Sequence, residues 1–279
     1  MSGRLITGRT KVLAVLGNPI AHSLSPPMHN AWLDAAGIDA AYVALPIEGD
    51  VFAALPALGL YGANVTVPHK ERAAAIATQK DEAVARLGAA NVLRFAPEGV
   101  AAFNTDAPGF VASLDEDAPG WRARVRTALV MGAGGAARAI AWGLAAAGVP
   151  QILVSNRTQA RAHEVCAACP GAAPWPWSSL GDGFAKADLI VNATSLGLAG
   201  GSSPDWPIAA APAHALVADA VYKPLETPLL AAARARGLAT VDGLGMLIHQ
   251  GALAFEIWFG VKPDTKAART QLRALLAQG

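Results

Sequence analysis

The sequence predicts an α/β protein of two domains built mainly on parallel sheets, and three observations predict it. Short apolar runs alternate with helix-like stretches from one end of the chain to the other, the pattern of repeated strand–helix units. At 279 residues the chain is long for one core and suits two compact units of ~100–200 residues each. A strand-like run, Thr127–Met131, passes directly into Gly132-Ala133-Gly134-Gly135-Ala136-Ala137-Arg138 and a helix, the opening of a dinucleotide-binding unit.

The elements follow in order. Lys11–Leu16 reads as a strand. Ser25-Pro26 opens a helix, with serine at the N-cap and proline at N1, and Gly37 stops it. Ala41–Leu45, Asn64–Val67 and Ala90–Phe95 read as further strands. The character changes after Asn104-Thr105-Asp106: residues 115–126 are polar, with Pro119-Gly120 as a breaker. Beyond the glycine-rich turn a helix runs to Gly148, and the strand Gln151–Ser155 ends at Asn156-Arg157-Thr158. Asp188–Asn192 and Leu216–Val221 are two more strands. After Asp242 a long helix covers Met246–Phe259, and another covers Lys266–Leu275.

Composition narrows the function classes. The 22 basic and 21 acidic residues leave a net charge of +1, which removes the field of a nucleic-acid binder or a polybasic membrane protein. With 53% hydrophobic and only 15% charged residues, the chain is well supplied for burial and is not disordered. The longest apolar stretch, Ala139–Pro150, falls short of the ~20 residues a membrane span needs. Val12–Leu16 is too short for the core of a signal peptide, so a cytoplasmic chain is expected. Cys166 and Cys169 form a C-x-x-C, but no second pair and no suitably spaced histidines complete a metal site. They read as two small apolar residues one helical turn apart, and no metal is expected.

Gly132-x-Gly134-x-x-Ala137 carries the cofactor argument. Glycines permit a tight turn and let backbone N–H groups approach a pyrophosphate at the positive end of the helix, while alanine keeps helix and strand close. An NAD enzyme places Asp or Glu at the end of the next strand to hold the ribose 2′-hydroxyl. Here Asn156-Arg157-Thr158 stands in that place, with Arg161 nearby, and a guanidinium suits a 2′-phosphate. NADP(H) is therefore the expected cofactor.

The first hundred residues hold polar groups where a plain core would not want them. Ser23 and Ser25 lie in a loop at a helix start, where they can hold a carboxylate, or where Ser25 can simply cap the helix. Asn64, Thr66 and Lys70 lie at and just beyond a strand's carboxyl end, the usual ligand edge of an α/β sheet. Asn91 and Asn104-Thr105-Asp106 are further polar insertions beside strand-like runs.

These segments together resemble the shikimate dehydrogenase family, within the shikimate/quinate dehydrogenases, over essentially the whole length. The matching pieces are GNPIAHSLSPPMHN, GANVTVPHK, AANV, FNTD, GAGGAAR, SNRT, NATSLG, ADAVYKPLETPLL and DGLGMLIHQGALAFEIW, in family order and spacing. The resemblance implies a substrate domain of residues 1–108 plus 243–279, completed by the C-terminal helices, and a Rossmann-type NADP domain of residues 109–242, with the active site in the cleft. It implies the NADPH-dependent, reversible reduction of 3-dehydroshikimate to shikimate in aromatic amino-acid biosynthesis.

By motif match, Lys70 is the acid/base residue and Asp106 its partner. Ser23, Ser25 and Tyr222 would hold the substrate carboxylate, and Thr66, Asn91, Asp106 and Gln250 the ring hydroxyls. The cofactor would lie against Gly132, Ala133, Gly134, Gly135, Ala136, Asn156, Arg157, Thr158, Arg161, Thr194, Ala220 and Gly243. Glu82 matches an acidic position linked to the cofactor in some members, and Ala220 stands where some members carry methionine. Broader use of quinate with NAD is the alternative, against which Ser25 and Arg157 count. A non-catalytic binding protein is opposed by the retention of Lys70 and Asp106. The expected partner is a small-molecule substrate, with no nucleic acid or membrane, on a monomer or homodimer.

Overall fold

Two six-stranded sheets organise the chain, one in each of two compact units. The computed structural model describes residues 5–49, 51–198, 201 and 203–278.

The first unit comprises residues 1–105 and 250–279. Its elements begin with β1 (Lys11–Gly17), α1 (Ser25–Ala35), β2 (Ala40–Pro46) and β3 (Gly62–Val65). They continue with α2 (Lys70–Ala75), β4 (Gln79–Lys80), α3 (Glu82–Leu87), β5 (Val92–Ala96) and β6 (Gly99–Phe103). The strand order is β2-β1-β3-β5-β6-β4. β1 lies parallel to both its neighbours, and its residues Leu13 to Leu16 are buried, as expected for a strand covered on both faces.

This sheet is mainly parallel, as expected, but not wholly so. β5 runs antiparallel to β3 and to β6, and Ala96 pairs with Gly99 across Pro97-Glu98. So short a connection permits only a hairpin, since a parallel crossover needs a dozen residues or more. β3 also stops at Val65, before the expected Val67. There the Thr66 N–H donates to the Leu16 carbonyl and the Asn18 N–H to the Val67 carbonyl, so residues 66–67 bind the exit of β1.

The second unit, residues 106–249, begins with α4 (Asp106–Asp117), α5 (Trp121–Arg124), β7 (Thr127–Met131), α6 (Gly135–Ala146) and β8 (Gln151–Ser155). Next come α7 (Gln159–Ala168), β9 (Ala172–Trp175), α8 (Leu180–Lys186), β10 (Leu189–Asn192) and β11 (Leu216–Asp219). Then follow α9 (Pro228–Ala235), β12 (Ala239–Val241) and the start of α10 (Gly243–Phe259). α11 (Thr265–Leu276) returns to the first unit.

The second sheet has the order β12-β11-β10-β7-β8-β9, with every pair parallel. The chain winds outward from β7 in both directions, which makes the carboxyl ends of β7 and β10 the switch point of a doubly wound sheet. Leu129, Leu153, Phe184, Ile190 and Leu230 form part of its apolar core.

The units divide at Thr105/Asp106 and inside α10 at His249/Gln250, whereas the sequence places the boundaries at 108/109 and 242/243. Packing explains both positions. The first turn of α4 lies against α6, where a methyl group on Gly143 would stand 2.9 Å from the Ala107 carbonyl oxygen. Gly243 lies equally close to Ala220 and Val221, where a methyl group would come within 2.6 Å of either carbonyl oxygen. α10 starts at Gly243, ahead of the expected Met246, because an Asp242 carboxylate oxygen accepts from the Leu244 N–H at 3.0 Å.

The C-terminal segment is tied to the first sheet by indoles. Trp258 Nε1 donates to the Leu93 carbonyl at 3.0 Å, and Trp32 Nε1 donates to the Asp264 carbonyl at 3.1 Å. β3 begins with glycine for the same reason, since a methyl group on Gly62 would overlap the Trp258 ring. Among the described residues no helix is long and apolar enough to cross a membrane. Gly62→Ala should therefore cost about 1–3 kcal/mol through overpacking. Chemical denaturation would show it as a lower midpoint at unchanged slope, and an unchanged midpoint would mean that the indole yields freely.

Candidate active site

A belt of buried amides and hydroxyls crosses the first unit at the carboxyl end of β3. The Tyr42 hydroxyl donates to Asn64 Oδ1 at 2.6 Å, and Asn64 Nδ2 donates to the Asn91 carbonyl at 3.2 Å. Asn91 Nδ2 donates to Thr105 Oγ1 at 2.9 Å and to Gln250 Oε1 at 3.1 Å, while Asn91 Oδ1 accepts from the Thr105 N–H at 2.7 Å. Tyr42, Asn64, Asn91, Thr105 and Gln250 are all buried. A buried amide costs stability unless its bonds are made, so this belt is consistent only because each member faces another.

Two of the expected substrate residues, Asn91 and Gln250, are members of this belt. Ser25 is buried. It does not cap α1: the residue before the helix is Leu24, with no side-chain cap. The serine is the first residue of the helix itself. Ser23 lies half-buried just before it, and Ser23 Oγ accepts from the Ser25 N–H at 3.2 Å.

Thr66 follows β3, half-buried, and its methyl occupies the space that a side chain on Gly17 would need. Lys70 is the first residue of α2, half-buried. Its backbone is fixed where the Ala90 N–H meets the Lys70 carbonyl at 2.9 Å. His69, just before it, is held by Nε2 against the Ile47 carbonyl at 3.1 Å.

Asp106 and Tyr222 fall in the second unit. Asp106 is buried at the start of α4, directly after the Thr105 that Asn91 grips. Tyr222 is half-buried, three residues beyond β11.

The glycine-rich turn has the form a dinucleotide phosphate requires. Gly132 has φ +119, and a methyl group there would stand 2.8 Å from the Ala193 carbonyl oxygen, so only glycine fits. Nothing lies within 4 Å of the space above Gly134. Gly134 precedes α6 in an extended conformation with no side-chain cap, which leaves the first N–H groups of a twelve-residue helix for an anion. Ala133 is buried, while Gly135 and Ala136 are half-exposed on this edge. Beyond β8, Asn156 Nδ2 donates to the Thr158 carbonyl at 3.0 Å and folds the loop that exposes Arg157, while Arg161 is exposed on the first turn of α7. No carboxylate occurs between residues 156 and 161.

At the ends of β10 and β11 lies a second buried cluster. The Asp219 carboxylate accepts from Thr227 Oγ1 at 2.7 Å, Val221 N–H at 2.9 Å and Asn192 Nδ2 at 3.0 Å. Asn192 Oδ1 in turn accepts from the Thr194 hydroxyl at 2.7 Å and the Thr194 N–H at 3.1 Å. The loops carrying Thr194 and Ala220 are thereby fixed to each other. Burial pushes the Asp219 carboxyl up to about 6, against the three hydrogen bonds that favour its ionised form.

Sequence reading passes over Asp219, Tyr42 and Thr105. The first two look like ordinary strand residues, and Thr105 is visible only as part of the insertion before Asp106. Glu82 lies exposed in the first turn of α3, within the first unit, whereas the other expected cofactor residues belong to the second. The helix cap beside it is Asp81, which accepts from the Val84 N–H at 2.7 Å. Cys166 and Cys169 are free, and burial raises both thiols to about 11. At neutral pH they hold almost no thiolate.

Comparison with known proteins gives one consistent answer. Residues 15–93 match the family described as shikimate dehydrogenase substrate binding domain, residues 117–198 shikimate/quinate 5-dehydrogenase, and residues 243–273 the shikimate 5'-dehydrogenase C-terminal domain. The shikimate dehydrogenase (NADP(+)) of Rhodospirillum rubrum is 47% identical over 274 residues, covering 95% of this chain and 97% of its own. The Thermus thermophilus shikimate 5-dehydrogenase, solved in complex with NADP(H) and shikimate, is similar at 36% identity and TM-score 0.87, covering 95% of this chain and 99% of that one. The quinate dehydrogenase of Corynebacterium glutamicum, in complex with NAD, is similar at 29% identity with the same TM-score and coverage.

Asp219 generates a pH prediction. Between the ordinary carboxyl value of 3.8 and about 6, the folded chain holds a proton that the unfolded chain has released. Stability contributed by this group therefore falls as pH rises through that window and is level above it, by up to about 3 kcal/mol. Asp219→Asn removes this component, so wild type minus variant stability should fall from pH 4 to pH 6.5 in denaturant titrations. A difference that stays flat over that range would contradict the burial argument.

Proposed function

The chain belongs to the shikimate dehydrogenase family, and we propose that it catalyses the reversible NADPH-dependent reduction of 3-dehydroshikimate to shikimate. This is an oxidoreductase step at a CH–OH carbon in the biosynthesis of aromatic amino acids and chorismate. The observation that carries the reading is the buried belt through Asn64, Asn91 and Gln250, with Lys70 on the neighbouring helix start. A row of fixed amides and hydroxyls suits a small ring bearing several hydroxyls.

Ser23, Ser25 and Tyr222 hold the substrate carboxylate. Thr66, Asn91, Asp106 and Gln250 hold the ring hydroxyls. When bound, NADP(H) supplies or accepts the hydride at the ring carbon. The Lys70 ammonium hydrogen-bonds the carbonyl oxygen and gives it the proton during reduction, and in the reverse direction the neutral amine takes the hydroxyl proton. Lysine suits the task because its charge responds to neighbours, and an ammonium stabilises a developing alkoxide. Asp106 orients that ammonium and accepts from a substrate hydroxyl.

The turn from Gly132 to Ala136 at the start of α6 would hold the cofactor pyrophosphate, Asn156, Arg157, Thr158 and Arg161 would hold its 2′-phosphate, and Thr194, Ala220 and Gly243 would line the rest of its site. Glu82 has a weaker claim to a cofactor contact. The enzyme acts in the cytoplasm on a small-molecule substrate, as a monomer or homodimer.

Lys70→Ala should lose about 10²–10⁴-fold in turnover, with shikimate affinity less affected. Initial rates at the nicotinamide absorbance band read this directly, and unchanged turnover would falsify the assignment. Arg157→Ala should weaken NADPH binding far more than NADH binding. Equal losses for the two cofactors would mean that Arg157 does not meet the 2′-phosphate.

A further inference from the structure

We propose that His69 is the positioning residue of Lys70, its ring fastening the start of α2 to the segment that follows β2. The inference rests on the assignment of Lys70 as the acid/base residue. α2 has only six residues, Lys70–Ala75, too few to hold a helix by its own bonds. Its first turn must therefore be placed by ties to the rest of the unit, and two of these lie on either side of Lys70. His69 Nε2 meets the Ile47 carbonyl at 3.1 Å, and Arg72 Nη1 donates to the Gly49 carbonyl at 2.6 Å. Residues 47 to 49 thus form a strap along the start of the helix. The strap is itself fixed, since the Ile47 N–H donates to the Gly17 carbonyl at 3.2 Å at the end of β1.

The histidine is the inner of the two ties, 4% exposed, whereas Arg72 is exposed. A carbonyl only accepts, so Nε2 carries the ring hydrogen and Nδ1 presents a lone pair. Nδ1 is buried without a hydrogen-bond partner, which commits the ring to one bond, and that bond goes to the strap. The Phe52 ring lies beside it, 5.3 Å away at 46°. An unpaired buried nitrogen costs stability that a phenylalanine here would not, so what the histidine supplies is the bond to Ile47. It makes no side-chain cap to α2, although it stands directly before the helix. From the other side the Ala90 N–H donates to the Lys70 carbonyl at 2.9 Å, so the backbone of Lys70 is gripped before and behind. A misplacement of about 1 Å at a reacting group can cost about 10²-fold in rate.

The test is steady-state kinetics of the full chain, varying shikimate and NADP+ separately. The variants are His69→Phe, His69→Gln, Lys70→Ala and the double variant His69→Phe with Lys70→Ala. His69→Phe keeps a ring beside Phe52 and removes the bond. It should lower kcat by about tenfold to a hundredfold while both KM values stay close to wild type. His69→Gln, whose side-chain amide can donate to the same carbonyl, should recover most of kcat. On Lys70→Ala, which has no ammonium left to place, adding His69→Phe should cost nothing further.

Wild-type kcat in His69→Phe would overturn the proposal. Parallel rises in both KM values would mean general loosening and would also overturn it, as would a loss that His69→Phe repeats in full on Lys70→Ala. If His69→Gln fails to recover kcat, the double variant decides: no further loss upholds the proposal and a further loss ends it. If Lys70→Ala loses turnover while His69→Phe does not, the inference fails and the assignment of Lys70 stands. If Lys70→Ala itself leaves turnover unchanged, both fail.

Discussion

The side-chain amide of Asn91 is the point on which the first unit depends. It joins the start of β5, the residue before α4 and the C-terminal helix α10 through Thr105 and Gln250. An unpaired buried amide costs about 1–3 kcal/mol per polar group, so the folded chain is held to the geometry in which every partner is present. The same geometry delivers Asn64, Gln250 and the segment leading to Asp106 from elements far apart in sequence. The rigidity of this region therefore comes from one set of bonds, and loosening one member loosens several others at once.

The second unit solves a different problem. Its ligand edge is shaped by absent side chains: the positive φ of Gly132, the open space above Gly134 and the close approach of Gly243 to Ala220 and Val221. Backbone that must come near a phosphate cannot also carry bulky groups, so rigidity has to be supplied from below. Asp219 and Asn192 supply it, joining the ends of β10 and β11 beneath the loops. A buried carboxylate satisfied by three donors is costly to place and hard to move, which suits a part that must not shift when a cofactor arrives.

Much of this was legible in the sequence, and the gaps have physical causes. The glycine turn, the arginines after β8 and the asparagine-rich insertions were readable because each departs from the local rule for a strand or helix. Tyr42 and Asp219 were not, since their importance lies in partners 22 and 27 residues away. Ser25 looked like a helix cap because serine before proline usually is one, but the helix begins one residue earlier and takes the serine in as its first residue. The hairpin β5–β6 was missed because Pro97-Glu98 lacks the common asparagine–glycine signature of a two-residue turn. Backbone packing at Gly143 and Gly243 attaches the start of α4 and of α10 to the second unit, a tertiary detail that no motif carries.

The most direct measurement is a set of initial rates with shikimate and with quinate, each paired with NADP+ and with NAD+, on the intact chain. Shikimate with NADP+ should lead the other three combinations clearly, if the proposed roles of the buried belt toward the ring acid and of Arg157 and Arg161 toward the 2′-phosphate hold. Quinate with NAD+ matching or exceeding that rate would contradict it.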